Sequence, residues 1–194
     1  MKITYFQRMS LLGHGACLAI GAISAGCIDT PEPGDRADLI SSEITLDTTA
    51  SYTIIGVQSN KCVGVIDGST ASNAGLEIRT CSGVASQRFR PESMTGGFFR
   101  LRNELSRLCM DVTGASQADG TAVIQFACSN ATNQQWSFTD VASGSDRLTA
   151  RHSTKVLDVT MKGTVDGTLL EQWTSNDGTN QQFVVTKAVG AFAP

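Results

Sequence analysis

Histidine is nearly missing from this chain of 194 residues, which holds two, and aromatic residues make up only 6% of it. His14 falls in the N-terminal apolar run, so a Ser-His-Asp or Cys-His relay would have to use His152. No nucleophile signature lies near His152, which reads as a surface histidine. Charge is sparse at 17%, and acid exceeds base (18 Asp+Glu against 15 Lys+Arg). Such a chain lacks the electrostatic footprint that DNA or RNA phosphates require, so no nucleic-acid partner is expected. The cysteines lack the close C-x-x-C pairs used by zinc sites, and neither a metal nor another cofactor is expected. The apolar run from Met9 to Ile23 is short for a bilayer span and contains His14.

That run has a different use. Lys2 and Arg8 precede it and the small residues Ser24, Ala25 and Gly26 close it, which is the pattern of an export signal over residues 1–26. Loss of this segment removes two bases and no acid, moving the formal charge from -3 to -5. Cys17 leaves with it, and Cys27 is then the odd cysteine of five. Its position resembles that of a lipobox cysteine, which would make Cys27 a lipidation candidate and a route to membrane anchoring. Ser24 stands where that motif usually has Leu, and ordinary cleavage after Ser24 or Gly26 is the alternative. Residues 27–50 are polar and Pro-bearing with no sustained periodicity, so they read as a flexible tether. The expected destination is outside the cytoplasm, as a secreted protein or a cell-surface or periplasmic lipoprotein.

The remainder is one pattern written three times. Cys62, Cys109 and Val156 are 47 residues apart, as are Cys81, Cys128 and Ser175, and Phe89, Trp136 and Phe183. Asn73, Gly120 and Gly167 keep the same spacing, and so do Gln87, Gln134 and Gln181. Short apolar stretches broken by turns such as Asp119-Gly120 and Asp166-Gly167 predict an all-β barrel or sandwich. A single unit is too small to bury much apolar surface, so three should share a core. Where the third unit loses one cysteine column it loses both, as bonded pairs would. Disulfides Cys62–Cys81 and Cys109–Cys128 are therefore expected.

The segments C-M-D-V…Q-F-A-C-S-N-A-T-N-Q-Q-W and L-D-V…Q-W-T-S-N-D-G-T-N-Q-Q-F resemble the ricin B-type lectin repeat with its Q-x-W signature. The resemblance covers about 51–188, with repeats near 51–95, 96–142 and 143–188 and a tail over 189–194. It implies a β-trefoil of three 47-residue repeats, with Phe89, Trp136 and Phe183 as buried wedges. It also implies sugar binding by an Asp, an aromatic 15 residues on and an Asn 22 residues on. In the third repeat these are Asp158, Trp173 and Asn180, with Gln181 beside them and Glu171 where the family often has Gln. In the second they are Asp111, Phe126, Asn133 and Gln134, with Ile124 at the Gln position. In the first, Gly64, Arg79 and Ser86 replace the trio, so that lobe is expected to be silent.

The first repeat keeps its cysteines, Glu77, Gln87 and Phe89 yet loses the Asp, the aromatic and the Asn, while the third loses its cysteines and keeps the trio. Scaffold and site columns vary independently, which favours a ligand role over turn capping for Asp111 and Asp158. The function expected is glycan or polysaccharide binding by a monomer without catalysis. A trefoil that uses its loops against a protein is the alternative, followed by a glycosidase.

Overall fold

The computed structural model describes residues 45–142 and 144–188. The signal segment, Cys27, most of the tether and the C-terminal tail lie outside the described residues. The chain divides into the units Met1–Leu39 and Ile40–Pro194, and all that follows concerns the second.

Each lobe contributes four short strands. The first holds β1 (Tyr52–Gly56), β2 (Cys62–Val65), β3 (Leu76–Arg79) and β4 (Phe89–Ser93). The second holds β5 (Phe99–Asn103), β6 (Cys109–Val112), β7 (Thr121–Phe126) and β8 (Trp136–Ala142). The third holds β9 (Ser145–Ala150), β10 (Val156–Val159), β11 (Thr168–Trp173) and β12 (Phe183–Lys187). All pairings are antiparallel. The first and last strands of the lobes close a six-stranded ring through β1–β4, β4–β5, β5–β8, β8–β9, β9–β12 and β12–β1. The inner pairs β2–β3, β6–β7 and β10–β11 form three hairpins that meet one another through β3–β11, β7–β11 and a bridge from Gly75 to Ile124. A closed barrel under three converging hairpins is a β-trefoil, and closure leaves the barrel without a free strand edge.

The core explains why three weak units cohere. Phe89, Trp136 and Phe183, one at the head of each lobe's last strand, are 1%, 0% and 0% exposed. Around them pack Ile54, Leu101, Met110, Leu148 and Leu157. The Gln two residues before each wedge locks the chain entering that strand. Gln87, Gln134 and Gln181 donate through Nε2 to the carbonyls of Thr80, Ala127 and Thr174, at 2.9, 2.9 and 3.2 Å. Their Oε1 atoms accept from the amides of Ser82, Ser129 and Asn176. Buried amides satisfied at both ends stabilise where unsatisfied ones would destabilise.

Disulfides Cys62–Cys81 and Cys109–Cys128 tie the hairpins of the first two lobes. Two findings differ from the sequence reading. Residues 45–50, assigned to the tether by composition, pack on the domain: Leu46 and Ala50 are buried, and Asp47 receives the Lys187 ammonium at 2.9 Å. His152 is not a free surface residue. Its Nε2 lies 2.9 Å from the Ser116 carbonyl and its Nδ1 is buried without a partner, so it ties the third lobe to the second.

Candidate functional site

In each lobe the hairpin and the 3-10 turn before the last strand enclose a hollow. In the third lobe Asp158 lies on β10 directly opposite Glu171 on β11. Asp158, Glu171, Trp173 and Asn180 line a cavity of about 250 Å³ together with Met161, Lys162 and Asn176. Asp158 and Asn180 are 4% and 3% exposed and form the floor, while Trp173 presents 40% of its surface. Asn180 Nδ2 donates to Asp158 Oδ2 at 2.9 Å, and Gln181 Nε2 donates to the same oxygen at 2.6 Å. Asn180 Oδ1 is buried with no partner. A carboxylate and a carboxamide under an exposed indole face suit a ligand that brings paired hydroxyls.

The second lobe repeats the plan with less left open. Asp111, Phe126 and Asn133 line a cavity of about 230 Å³ with Ile124 and Asn73. Asn133 Nδ2 donates to Asp111 Oδ1 at 3.0 Å and to the Val112 carbonyl at 3.0 Å, while Gln134 Nε2 takes Asp111 Oδ2 at 2.7 Å. Both oxygens of Asp111 are thus engaged, whereas the bonds to Asp158 converge on one. Gln134 and Gln181 are 1% and 0% exposed and do not line the cavities. They hold the carboxylates from behind.

The first lobe retains a hollow of about 320 Å³, but Gly64 contributes no side chain to it. A Cβ on Gly64 would lie 3.0 Å from Cγ of Gln87. Arg79, in the aromatic's place, donates to Glu77 at 2.6 Å.

Burial raises the carboxyl pKa of Asp158 and Asp111 above the ordinary value, against the opposing pull of their Gln and Asn partners. Glu171 is raised as well, by burial first and then by the charge of Asp158. The third site is therefore an acceptor-rich hollow whose charge is sensitive to acid.

Several lining residues escaped the sequence reading. Met161 and Lys162 adopt left-handed backbone, with φ of 53° and 57°. The matching turns use Asp67-Gly68 and Gly114-Ala115, each with one glycine. The third lobe puts two side chains where left-handed backbone disfavours them by roughly 1 kcal/mol each. Met161, 93% exposed, stands at the rim of the cavity. Two consecutive non-glycine residues after the first inner strand were the available signal. Asn73 reaches the second cavity from the neighbouring lobe, which no column of the repeat announces.

Comparison with protein families matches the Ricin-type beta-trefoil lectin domain to residues 50–183. Comparison with curated proteins finds no match. Among solved structures, the chain is similar to a designed 3-fold symmetric protein, ThreeFoil, at 34% identity and a TM-score of 0.69, over 72% of this chain and 98% of that one. It is similar to part of an exo-beta-1,3-galactanase from Clostridium thermocellum at 32% identity and a TM-score of 0.70, over 72% of this chain and 30% of the enzyme. The Rhizoctonia solani agglutinin shares the fold at 18% identity and a TM-score of 0.65, over 74% of this chain and 98% of that one.

Proposed function

The chain belongs to the ricin-type beta-trefoil lectin family, and from that premise we propose that it is an exported carbohydrate-binding protein whose main site is the third-lobe cavity. The observation that carries the reading is a single cavity that brings Asp158 and Asn180 together under the half-open face of Trp173. Asp158 and Asn180 accept and donate to paired hydroxyls while the indole covers the C–H face of the ring. Gln181 acts by holding Asp158 rather than by touching the sugar. The second-lobe cavity, with Asp111, Asn133 and the smaller platform of Phe126, is a lesser site held by Gln134. Glu171, which accepts but does not donate when ionised, favours ligands with a hydroxyl or amine donor at that rim. The first lobe is assigned no sugar. The similarity to a galactanase module makes β-1,3-galactan the first polysaccharide to try. Two disulfides fit an oxidising compartment, in keeping with a signal over 1–26. Diacylation of Cys27, readable as the mass of the mature N-terminus, would add a membrane anchor.

A glycan array probed with wild type, Asp158→Ala and Trp173→Ala tests the proposal. Glycan binding that either substitution abolishes supports it. No binding, or binding retained by both variants, sinks it and favours a protein partner. Because Asp158 and Glu171 face each other in one cavity, release of reducing sugar is scored on the same ligands. Release that requires either carboxylate would replace the lectin reading with a glycosidase.

A further inference from the structure

We propose a second kind of binding site, for the sulfate or carboxylate groups of an acidic polysaccharide, in a small arginine-lined cavity on the β4–β5 hairpin. In this hairpin Arg90 stands directly opposite Arg102, and Glu92 opposite Arg100. Phe89, Pro91, Leu101 and Asn103 are buried, so the charged side chains share the other face. Like charges placed opposite each other across a strand pair are destabilising, and among the described residues Arg90 makes no ion pair. Arg90 donates through Nε to the Thr48 carbonyl at 3.0 Å, and Arg102 to the Arg107 carbonyl at 2.9 Å. Arg102 Nη1 also reaches Glu92 Oε1 in a long ion pair at 3.4 Å, a carboxylate it shares with Arg100. The Arg107 side chain makes no ion pair among the described residues.

These three arginines line a cavity of about 90 Å³ with Glu92, Glu104 and Asn103. Both carboxylates are already committed. Arg100 holds Glu92 at 2.5 and 2.8 Å, while Arg88 holds Glu104 at 2.5 Å beside the Ser51 hydroxyl. The Asn103 amide is spent on the Ser86 carbonyl at 2.9 Å. What remains is a guanidinium surplus on a chain of net charge -3. A volume of 90 Å³ is roughly that of three waters, room for one oxyanion group and not for a sugar ring. Guanidinium forks match planar and tetrahedral oxyanions, and a bound anion would cancel the Arg90–Arg102 repulsion. That the site takes an oxyanion stands on this geometry alone. That a glycan carries the oxyanion rests on the proposed function.

Thermal melts in sodium sulfate and in sodium chloride of equal ionic strength test the first half. Without sulfate, Arg102→Gln is expected to melt above wild type, because the repulsion is gone. Sulfate stabilises most proteins by exclusion from their surfaces, so the site predicts a larger gain for wild type than for Arg102→Gln. Equal gains overturn the proposal.

The second half uses immobilised dextran sulfate, polygalacturonate and neutral dextran. The probe is the double variant Asp158→Ala/Trp173→Ala, which isolates the arginine cavity from the lobe site. Preference for either acidic polymer, weakened about tenfold or more by adding Arg102→Gln and Arg107→Gln, supports the site and tells sulfate from carboxylate. No preference over dextran, despite a wild-type-specific sulfate gain, overturns the glycan assignment and leaves the lectin reading untouched. Binding confined to phosphatidylglycerol vesicles likewise overturns it in favour of a membrane.

Discussion

Asp158 and Asp111 hold the same place in their lobes and differ in how many of their oxygens the protein uses. Both carboxyls facing the third cavity have raised pKa values, and each must be ionised to accept fully from sugar hydroxyls. On the proposed function, binding is therefore expected to weaken as pH falls from neutral into the acid range, with Glu171→Gln flattening part of the slope in calorimetric titrations. Asp146 on β9 is a different case. It is 3% exposed, with Oδ1 buried and unpartnered, and burial followed by the nearby Asp140 charge pushes its pKa up to about 6. A folded-state pKa above the unfolded one means the folded protein binds the proton more tightly. The stability this gives is complete below about pH 4 and is lost as pH rises through 6. Asp146→Asn should match wild type in urea at pH 4 and exceed it at pH 7, by roughly 3 kcal/mol. Equal urea midpoints at pH 7 would remove Asp146 as the cause. At the rim of the third cavity, Met161→Gly should relieve left-handed strain, raising the melting temperature while weakening glycan binding.

The three inner hairpins are built alike and secured differently. Those of the first two lobes carry disulfides spanning 19 residues, each stabilising by about 3 kcal/mol in a loop-entropy view. The third, where Val156 and Ser175 stand instead, depends on a neighbour. Asp119 of the second lobe accepts from the Thr174 amide at 2.7 Å and from Lys155 at 2.6 Å. Asp166 repeats this towards the first lobe, accepting from the Thr80 amide at 2.9 Å and pairing with Lys61 at 2.5 Å. At the remaining junction the corresponding positions are Ser72, Leu108 and Ala127, which cannot make the clamp. Reduction should accordingly speed amide exchange in β2–β3 and β6–β7 and leave β10–β11 little changed. Asp119→Asn should do the reverse.

The cysteine pairs and the wedges Phe89, Trp136 and Phe183 were legible in the sequence because each recurs in register, so its environment could be compared across copies. The candidate trio of the third lobe was legible only through the resemblance to the ricin B-type repeat, since Gly64, Arg79 and Ser86 break its columns in the first lobe. Asn73 in the second cavity and Arg90 opposite Arg102 were not. Both arise from how one lobe or strand lies against another, and a repeat pattern carries no record of that register.

Taken together, the lobes make one domain with unequal hollows: one rich in acceptors, one partly closed, and one where Gly64, Arg79 and Ser86 replace the trio. On the proposed function two weak sites act by avidity, so an Asp111→Ala variant should lose more affinity for a surface-bound polysaccharide than for a short soluble fragment. Surface plasmon resonance on both ligands measures the difference. The ring of six barrel strands has one more consequence. Two of its joints between lobes, β4–β5 and β8–β9, are covalent hairpins, while β1–β12 is held by hydrogen bonds, continued by the Ala188 amide on the Ser51 carbonyl at 2.8 Å. The start and finish of the domain are thus neighbours across a gap in an otherwise continuous loop of chain, and the gap can be moved. A circular permutant joined across that seam by a short glycine linker and cut near Gly144 should fold with its core and third cavity intact, offering a new pair of ends for fusion.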